Sequence, residues 1–232
     1  MIMKRIFFIF IAVLIFISNS QSQNSDILYF LNKENSMLKI GHFNKTYTPS
    51  GYTQYKIEKV TETDSSKILT MSIVNFDKFN KPFSFDTINV VKQKSFLKID
   101  PEFLISDQNI SFKENIISGR EIVFPAILST GMGLSSAWIE FHSKEKYLKI
   151  SEFSRMVDKF EKIKTLNYSF DACLISSKYE IQSDEQSKNV FYTVEKWYAP
   201  ELGPVRIYYY NNKRKLVKFS EVVDYFLPED NL

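Results

Sequence analysis

Residues 197–206, Trp-Tyr-Ala-Pro-Glu-Leu-Gly-Pro-Val-Arg, constrain this chain more than any other stretch. Two prolines and a glycine stand between two alternating runs. Pro200 cannot donate a ladder hydrogen bond, Gly203 can take a positive φ, and Pro204 fixes φ where the chain resumes. Upstream, residues 190–198 set Phe191, Thr193, Glu195 and Trp197 on one face against Val190, Tyr192, Val194, Lys196 and Tyr198 on the other. Downstream, Val205, Ile207 and Tyr209 oppose Arg206, Tyr208 and Tyr210. A period of two on both sides of a turn predicts an antiparallel pair. Asn211-Asn212 then serves as a hairpin turn, because Asn tolerates positive φ, and residues 216–225 return as a third strand.

The same period runs through the first half. Strands are predicted over residues 52–60, 68–76, 83–91 and 95–99, with polar turns between them. In the second of these, Leu69, Met71 and Ile73 share a face, and Ile68, Val74 and Phe76 occupy the other, which predicts cover on both sides. Residues 26–45 give no clear period, although 28–31 and 37–43 hold apolar clusters. Residues 101–115 read as irregular, 116–124 as a short strand, 134–141 as a strand and 168–176 as another. The exception is 144–164. There Ile150, Phe153, Met156, Val157, Phe160 and Ile163 are spaced as on an amphipathic helix, while everything around them is strand-like. Helix and strand both stay open from this pattern. The remainder predicts a mainly β, antiparallel protein with few or no long helices.

The amino terminus carries a different message. Lys4 and Arg5, the apolar run 6–17 and the small residues Ser20 and Ser22 form a secretory signal peptide over 1–22, cut before Gln23. The run is short of the roughly 20 apolar residues that span a bilayer. Residues 23–228 are then expected as one β-rich domain with a tail at 229–232, exported to the periplasm or beyond, with no transmembrane segment after cleavage. Cleavage lowers the formal charge from +3 to +1 (3 − 2, for Lys4 and Arg5), and a near-neutral net charge gives no electrostatic case for nucleic acid or for an anionic membrane surface. Cys173 is the only cysteine, so no internal disulfide can form. Aromatic residues make up 16% of the chain and suit a core packed on pleated sheet.

Catalytic patterns are missing. His42 and His142 have no ligand-spaced partner, so no metal is expected. Neither a serine nucleophile elbow nor a His-Glu-x-x-His motif occurs, and Gly131-Met-Gly133 lacks the third glycine of a dinucleotide loop, which leaves it a turn. Cys173 sits mid-strand as a small hydrophobe. Glu58, Glu62 and Asp64 read as a solvated face and turn. No enzyme and no cofactor are predicted.

Three stretches resemble the TapB-like family of secreted bacterial proteins of unknown function. They are the segment 197–206, the pair Val123-Phe-Pro125 and Gly133-Leu134, and Phe170-Asp-Ala-Cys-Leu-Ile175. The chain departs from that family at Leu166-Asn-Tyr-Ser169. The resemblance implies a strongly curved antiparallel sheet, similar to the half-barrel of periplasmic lipoprotein carriers, and implies that 149–162 is largely strand. No catalytic residue carries over. Two functions are expected on these grounds. One is a non-enzymatic envelope protein holding a lipid-like or acylated ligand on a concave apolar face through Trp138, Phe170 and Trp197. The other is a structural or protein-interaction module in surface assembly or secretion, with an envelope protein held through Arg206, Tyr208 and Tyr210.

Overall fold

The computed structural model describes residues 29–106, 116–142, 147–184 and 189–229. The signal peptide expected at 1–22, with its cut site, and all but residue 229 of the tail expected at 229–232 lie outside the described residues. In chain order, β1 is Met37–Asn44, β2 Pro49–Glu62, β3 Ser66–Asp77, β4 Pro82–Gln93 and β5 Phe96–Ile99. After one helical turn at Phe103–Ser106 come β6 Ile116–Arg120, β7 Ile122–Pro125, β8 Gly133–Leu134 and β9 Ala137–His142. The longest hairpin pairs β10, Tyr147–Lys164, with β11, Ser169–Ser183. β12 Val190–Ala199, β13 Gly203–Tyr210 and β14 Leu216–Phe226 complete the set.

All belong to one antiparallel sheet, ordered β6-β9-β10-β11-β12-β13-β14-β1-β2-β3-β4-β5-β7, with β8 paired to β10 off this path. Its two edges, β6 and β7, are consecutive in the chain with only Glu121 between them. One residue reaches about 3.5 Å, so the edges must be neighbours and the sheet must be rolled. Every step along the order is antiparallel, and the number of steps is even, so β6 and β7 run the same way. They are two halves of one extended segment. The first half pairs with β9 and the second with β5, drawing the seam together. Arg155 on β10 reinforces it, donating from Nη1 to the Val123 carbonyl on β7 at 3.3 Å and to that of Ser135 at 2.9 Å. The fold is the strongly curved antiparallel sheet expected, rolled into a nearly closed barrel.

Alternation decides what lies inside. Leu38 and Ile40 of β1, Tyr55 and Ile57 of β2, Leu69, Met71 and Ile73 of β3, and Ile88 and Val90 of β4 all face inward and are no more than 4% exposed. On the second side Ile139, Ile150, Val157, Tyr179, Val194, Ile207 and Tyr209 do the same. The interior is closed further by the chain itself. Phe30 meets Phe103 edge-on with ring centres 5.3 Å apart, Phe103 reaches Tyr55 at 5.6 Å, and Phe124 crosses to Tyr198 at 5.2 Å. The concave face expected to hold a ligand is therefore filled with side chains. The outer face of β3 is only half-buried at Ile68, Val74 and Phe76, so the expectation of cover on both sides does not hold there.

The stretch with helical spacing is strand throughout 147–164, as the family resemblance implied. Its register shifts between Phe153 and Met156 and again between Val157 and Lys159. Each bulge inserts a residue, so inward positions run Glu152, Arg155, Val157, Phe160 with steps of three, two and three. Steps of three are what imitated a helix. Ser154, in the first bulge, takes φ +52°. At the turn after β12, Gly203 has φ +102°, and a Cβ there would stand 3.3 Å from the Phe30 ring. The glycine thus serves both the return of the chain and the seating of the amino-terminal segment.

Candidate functional site

Among the described residues, three polar places in this barrel could carry a function. The first is a hydrogen-bonded ladder on the inner face, crossing five strands. Asn75 on β3 donates from Nδ2 to Ser84 Oγ at 2.7 Å and accepts at Oδ1 from Thr53 at 2.5 Å. Thr53 Oγ1 has spent its proton on Asn75, so it can only accept from His42 Nε2, 2.8 Å away. His42 therefore carries a proton on Nε2, and its Nδ1 is hydrogen-bonded with Ser220 Oγ at 2.9 Å. All five residues are buried. Each group satisfies the next, which explains a buried histidine without a metal.

The second place is charged. Glu152 and Arg155 of β10 and Lys196 of β12 are each no more than 2% exposed. Lys196 Nζ donates to Tyr179 Oη at 2.5 Å and stands 3.7 Å from Glu152 Oε1. Glu152 Oε2 and Arg155 Nε are 3.8 Å apart, an ion pair too long for a hydrogen bond, and neither atom has another hydrogen-bond partner. Arg155 also lies over the Phe124 ring at 4.8 Å. One carboxylate between two cations, locked in by carbonyls and rings, binds β10, β12 and the seam strand together. Nothing about it opens to a substrate.

The third place is open. At the end of the barrel holding the β2–β3 and β4–β5 turns and the close of β7, a cavity of ≈ 450 Å³ is lined by Tyr29, Glu62, Lys67, Lys92, Lys94, Phe96, Leu97 and Phe124, among others. Lys67 and Lys92 face each other directly in the β3–β4 register, and Leu97 pairs with Lys92 in the next strand. The inner face that is fully buried at Leu69 and Val90 thus ends in lysines at its rim. Two like charges directly opposite in a sheet repel. Glu62 offsets one of them, at 3.2 Å from Lys67, which leaves the lining with two positive charges in excess (3 − 1). Beyond Tyr29 lies a second hollow of ≈ 430 Å³, lined by Phe160, Glu161, Lys162, Asp171, Ala172 and Pro200. Tyr29 separates the two. Burial, and next the neighbouring Cys173, push its hydroxyl up to about 12.

The residues singled out from sequence occupy other ground. Trp138 is on the outward side of β9 with the Lys149 ammonium 5.1 Å over its ring. Phe170 packs with Tyr168 and Tyr225. Trp197 is outward on β12, donates from Nε1 to Glu161 at 3.2 Å and meets Tyr208 edge-on. Alternation puts all three on the face opposite the filled interior, in three separate packing environments. Arg206 is bonded to Glu221 at 2.7 Å and to the Lys164 carbonyl, Tyr210 donates to Glu195 at 3.2 Å, and Tyr208 packs on Phe219. These three are half-buried in contacts within the chain. Cys173 is fully buried, and burial first, then Asp158, pushes its thiol up to about 12, as suits an inert hydrophobe. His142 pairs with Glu140 on the surface, and among the described residues no group of His, Cys, Asp and Glu could hold a metal ion. The mouth lysines are hard to recognise in the sequence because its pattern places each in a short polar turn, whereas Lys67 lies in β3 and Lys92 in β4. Their signal is that Lys67 and Lys92 continue the inward faces of β3 and β4.

These features define a class: an antiparallel barrel filled by its own side chains, closed by one strand that pairs at both edges, with the amino-terminal residues Tyr29, Phe30 and Leu31 buried against it. Residues 33–222 match the DUF3108-like family model, and the chain belongs to that family. The TapB-like name is not confirmed by this match. No curated protein sequence matches at a significant level. Among solved structures, a Bacteroides fragilis protein described as exported, with a YmcC-like fold, superposes with a TM-score of 0.76 at 16% identity, over 85% of this chain and 98% of its own. A Parabacteroides distasonis protein described as a lipoprotein gives 0.77 at 14% identity, over 88% of this chain and 100% of its own. At such identities the likeness establishes the fold alone.

Proposed function

We propose that the chain is an exported, non-enzymatic protein of the bacterial envelope that takes a lipid-like or acylated anionic amphiphile at the barrel mouth. The observation that carries this is the Lys67–Lys92 pair set over an apolar floor of Leu97, Phe96, Phe124 and Tyr29. An anionic head group would relieve the repulsion of the facing lysines, and an acyl chain would cover the floor. The cavity volume lies within the usual range for small-molecule sites. Export is supported by the signal sequence at 1–22 and by the descriptions of the two structural neighbours. The interaction-module reading is weaker, because Arg206 and Tyr210 already spend their polar atoms within the chain.

Titration with a dansyl-labelled fatty acid tests the proposal. Saturable binding is expected for residues 23–232, weakened at least tenfold in the K67E/K92E variant, with the melting temperature held or raised. Absence of binding, or equal binding by both proteins, overturns it.

A further inference from the structure

The end of the barrel opposite the mouth carries three hairpin tips built to one pattern. They join β1 to β2 (45–48), β3 to β4 (78–81) and β13 to β14 (211–215). In each, a side-chain oxygen at the first position accepts two backbone N–H groups: Asn44 Oδ1 from Thr46 and Thr48, Asp77 Oδ1 from Phe79 and Lys81, and Asn211 Oδ1 from Lys213 and Lys215. In each, one residue takes a positive φ: Tyr47, Asn80 and Arg214. The tips are therefore tied down before anything binds. β13–β14, β1–β2 and β3–β4 follow one another in the sheet, so neighbouring tips stand about 10 Å apart.

What they present is cationic and aromatic. Lys45, Lys78, Lys81, Lys213, Arg214 and Lys215 face one acidic residue, Asp77, whose Oδ1 is engaged in its own turn. Tyr47 is 64% and Phe79 77% exposed at the tips, and Phe85, at 67%, and Phe83 extend the apolar surface along the outer side of β4. Lys78 lies 5.0 Å over the Phe79 ring, keeping its charge beside the ring it would accompany into an interface.

We infer that this end of the barrel docks on the surface of an anionic lipid bilayer. Aromatic rings favour the head-group level, and cations near an anionic surface add attraction that salt removes. Charge selects this occupant over a second copy of the chain, since two such ends would repel. Docking this way leaves the mouth directed away from the bilayer.

Cosedimentation of residues 23–232, which hold every contact named above, tests it with two vesicles, one of phosphatidylcholine and one in which phosphatidylglycerol replaces a third of that lipid. Binding is expected to the second only, with release at high salt. A partition drop of about tenfold is expected for F79S and for K213E/R214E/K215E. Equal sedimentation with both vesicles, none with either, or unchanged partition in both variants overturns the inference. F79W supplies a readout in a protein whose fold is barely touched: its fluorescence should shift to the blue on phosphatidylglycerol vesicles, and an unshifted spectrum counts against docking. Light scattering that finds a dimer dissolved by the same substitutions also overturns it, in favour of a copy-to-copy interface.

Discussion

Two polar belts cross the inner face of this barrel, and they solve the problem of burial differently. The neutral belt, Ser220–His42–Thr53–Asn75–Ser84, is joined by side-chain hydrogen bonds of 2.5 to 2.9 Å. The charged belt sets Glu152 between Arg155 and Lys196 at 3.7 to 3.8 Å, with full charges supplying by attraction what hydrogen-bond geometry does not. The first saturates polar groups that would otherwise be costly inside, and the second adds a constraint, because its members lie on β10 and β12 and reach the seam strand at Val123. Both are consumed by the fold. The difference shows two ways of burying polar groups on one inner face, by saturated hydrogen bonds and by opposite charge.

Substitutions in the charged belt should cost most. Glu152→Gln keeps the shape and leaves Arg155 and Lys196 without their carboxylate, so a loss of about 3–5 kcal/mol is expected in urea denaturation. Replacing both Glu152 and Lys196, by Leu and Met, should recover much of that loss, since an apolar pair avoids the desolvation of two charges. A cost below about 1 kcal/mol for the single variant would mean that water reaches the cluster, and the contrast between the belts would fail. In the neutral belt Asn75→Leu strands Thr53 and Ser84 together. The expected cost is about 1–3 kcal/mol, and a value matching Glu152→Gln would show that the two belts are energetically alike.

A smaller effect belongs to the groups that are buried uncharged. Burial raises Cys173 from 9.0 to about 12 and Tyr29 from 10.0 to about 12. The folded chain holds these protons more tightly than the unfolded chain, so their contribution is complete below pH 9 and is lost as pH climbs from 9 towards 12. Stability measured across that range should fall, and Cys173→Ala should flatten the early part of the decline. A curve independent of this substitution would show Cys173 to be wetter than its burial indicates.

Much of this fold is legible in the sequence. The faces of β3, β12 and β13 follow from a period of two, and the turn at 200–204 follows from Pro200, Gly203 and Pro204. Closure does not, because the segment 116–125 reads as one strand while pairing with two partners at opposite edges. β10 imitates a helix through its bulges. Residues 29–31 show only as part of an apolar cluster, and their place as a plug depends on Gly203 and Phe103, far along the chain. The charged belt did leave a trace. Lys196 stands alone among Val190, Tyr192, Val194 and Tyr198 on one strand face, and a lone charge in such a row marks a buried partner. The candidate site is less legible than the fold, since Lys67 and Lys92 come opposite each other only when β3 and β4 are in register, with Lys94 beside them on the cavity lining.

The central claim is that the interior is occupied and that a ligand meets the protein at the mouth. Photocrosslinking with a diazirine fatty acid, followed by peptide mapping, tests it most directly. Labels are predicted on Tyr29, Lys92, Lys94, Phe96 and Phe124. Labels on Tyr179, Val194, Ile207 or Tyr209, deep on the inner face, would contradict it.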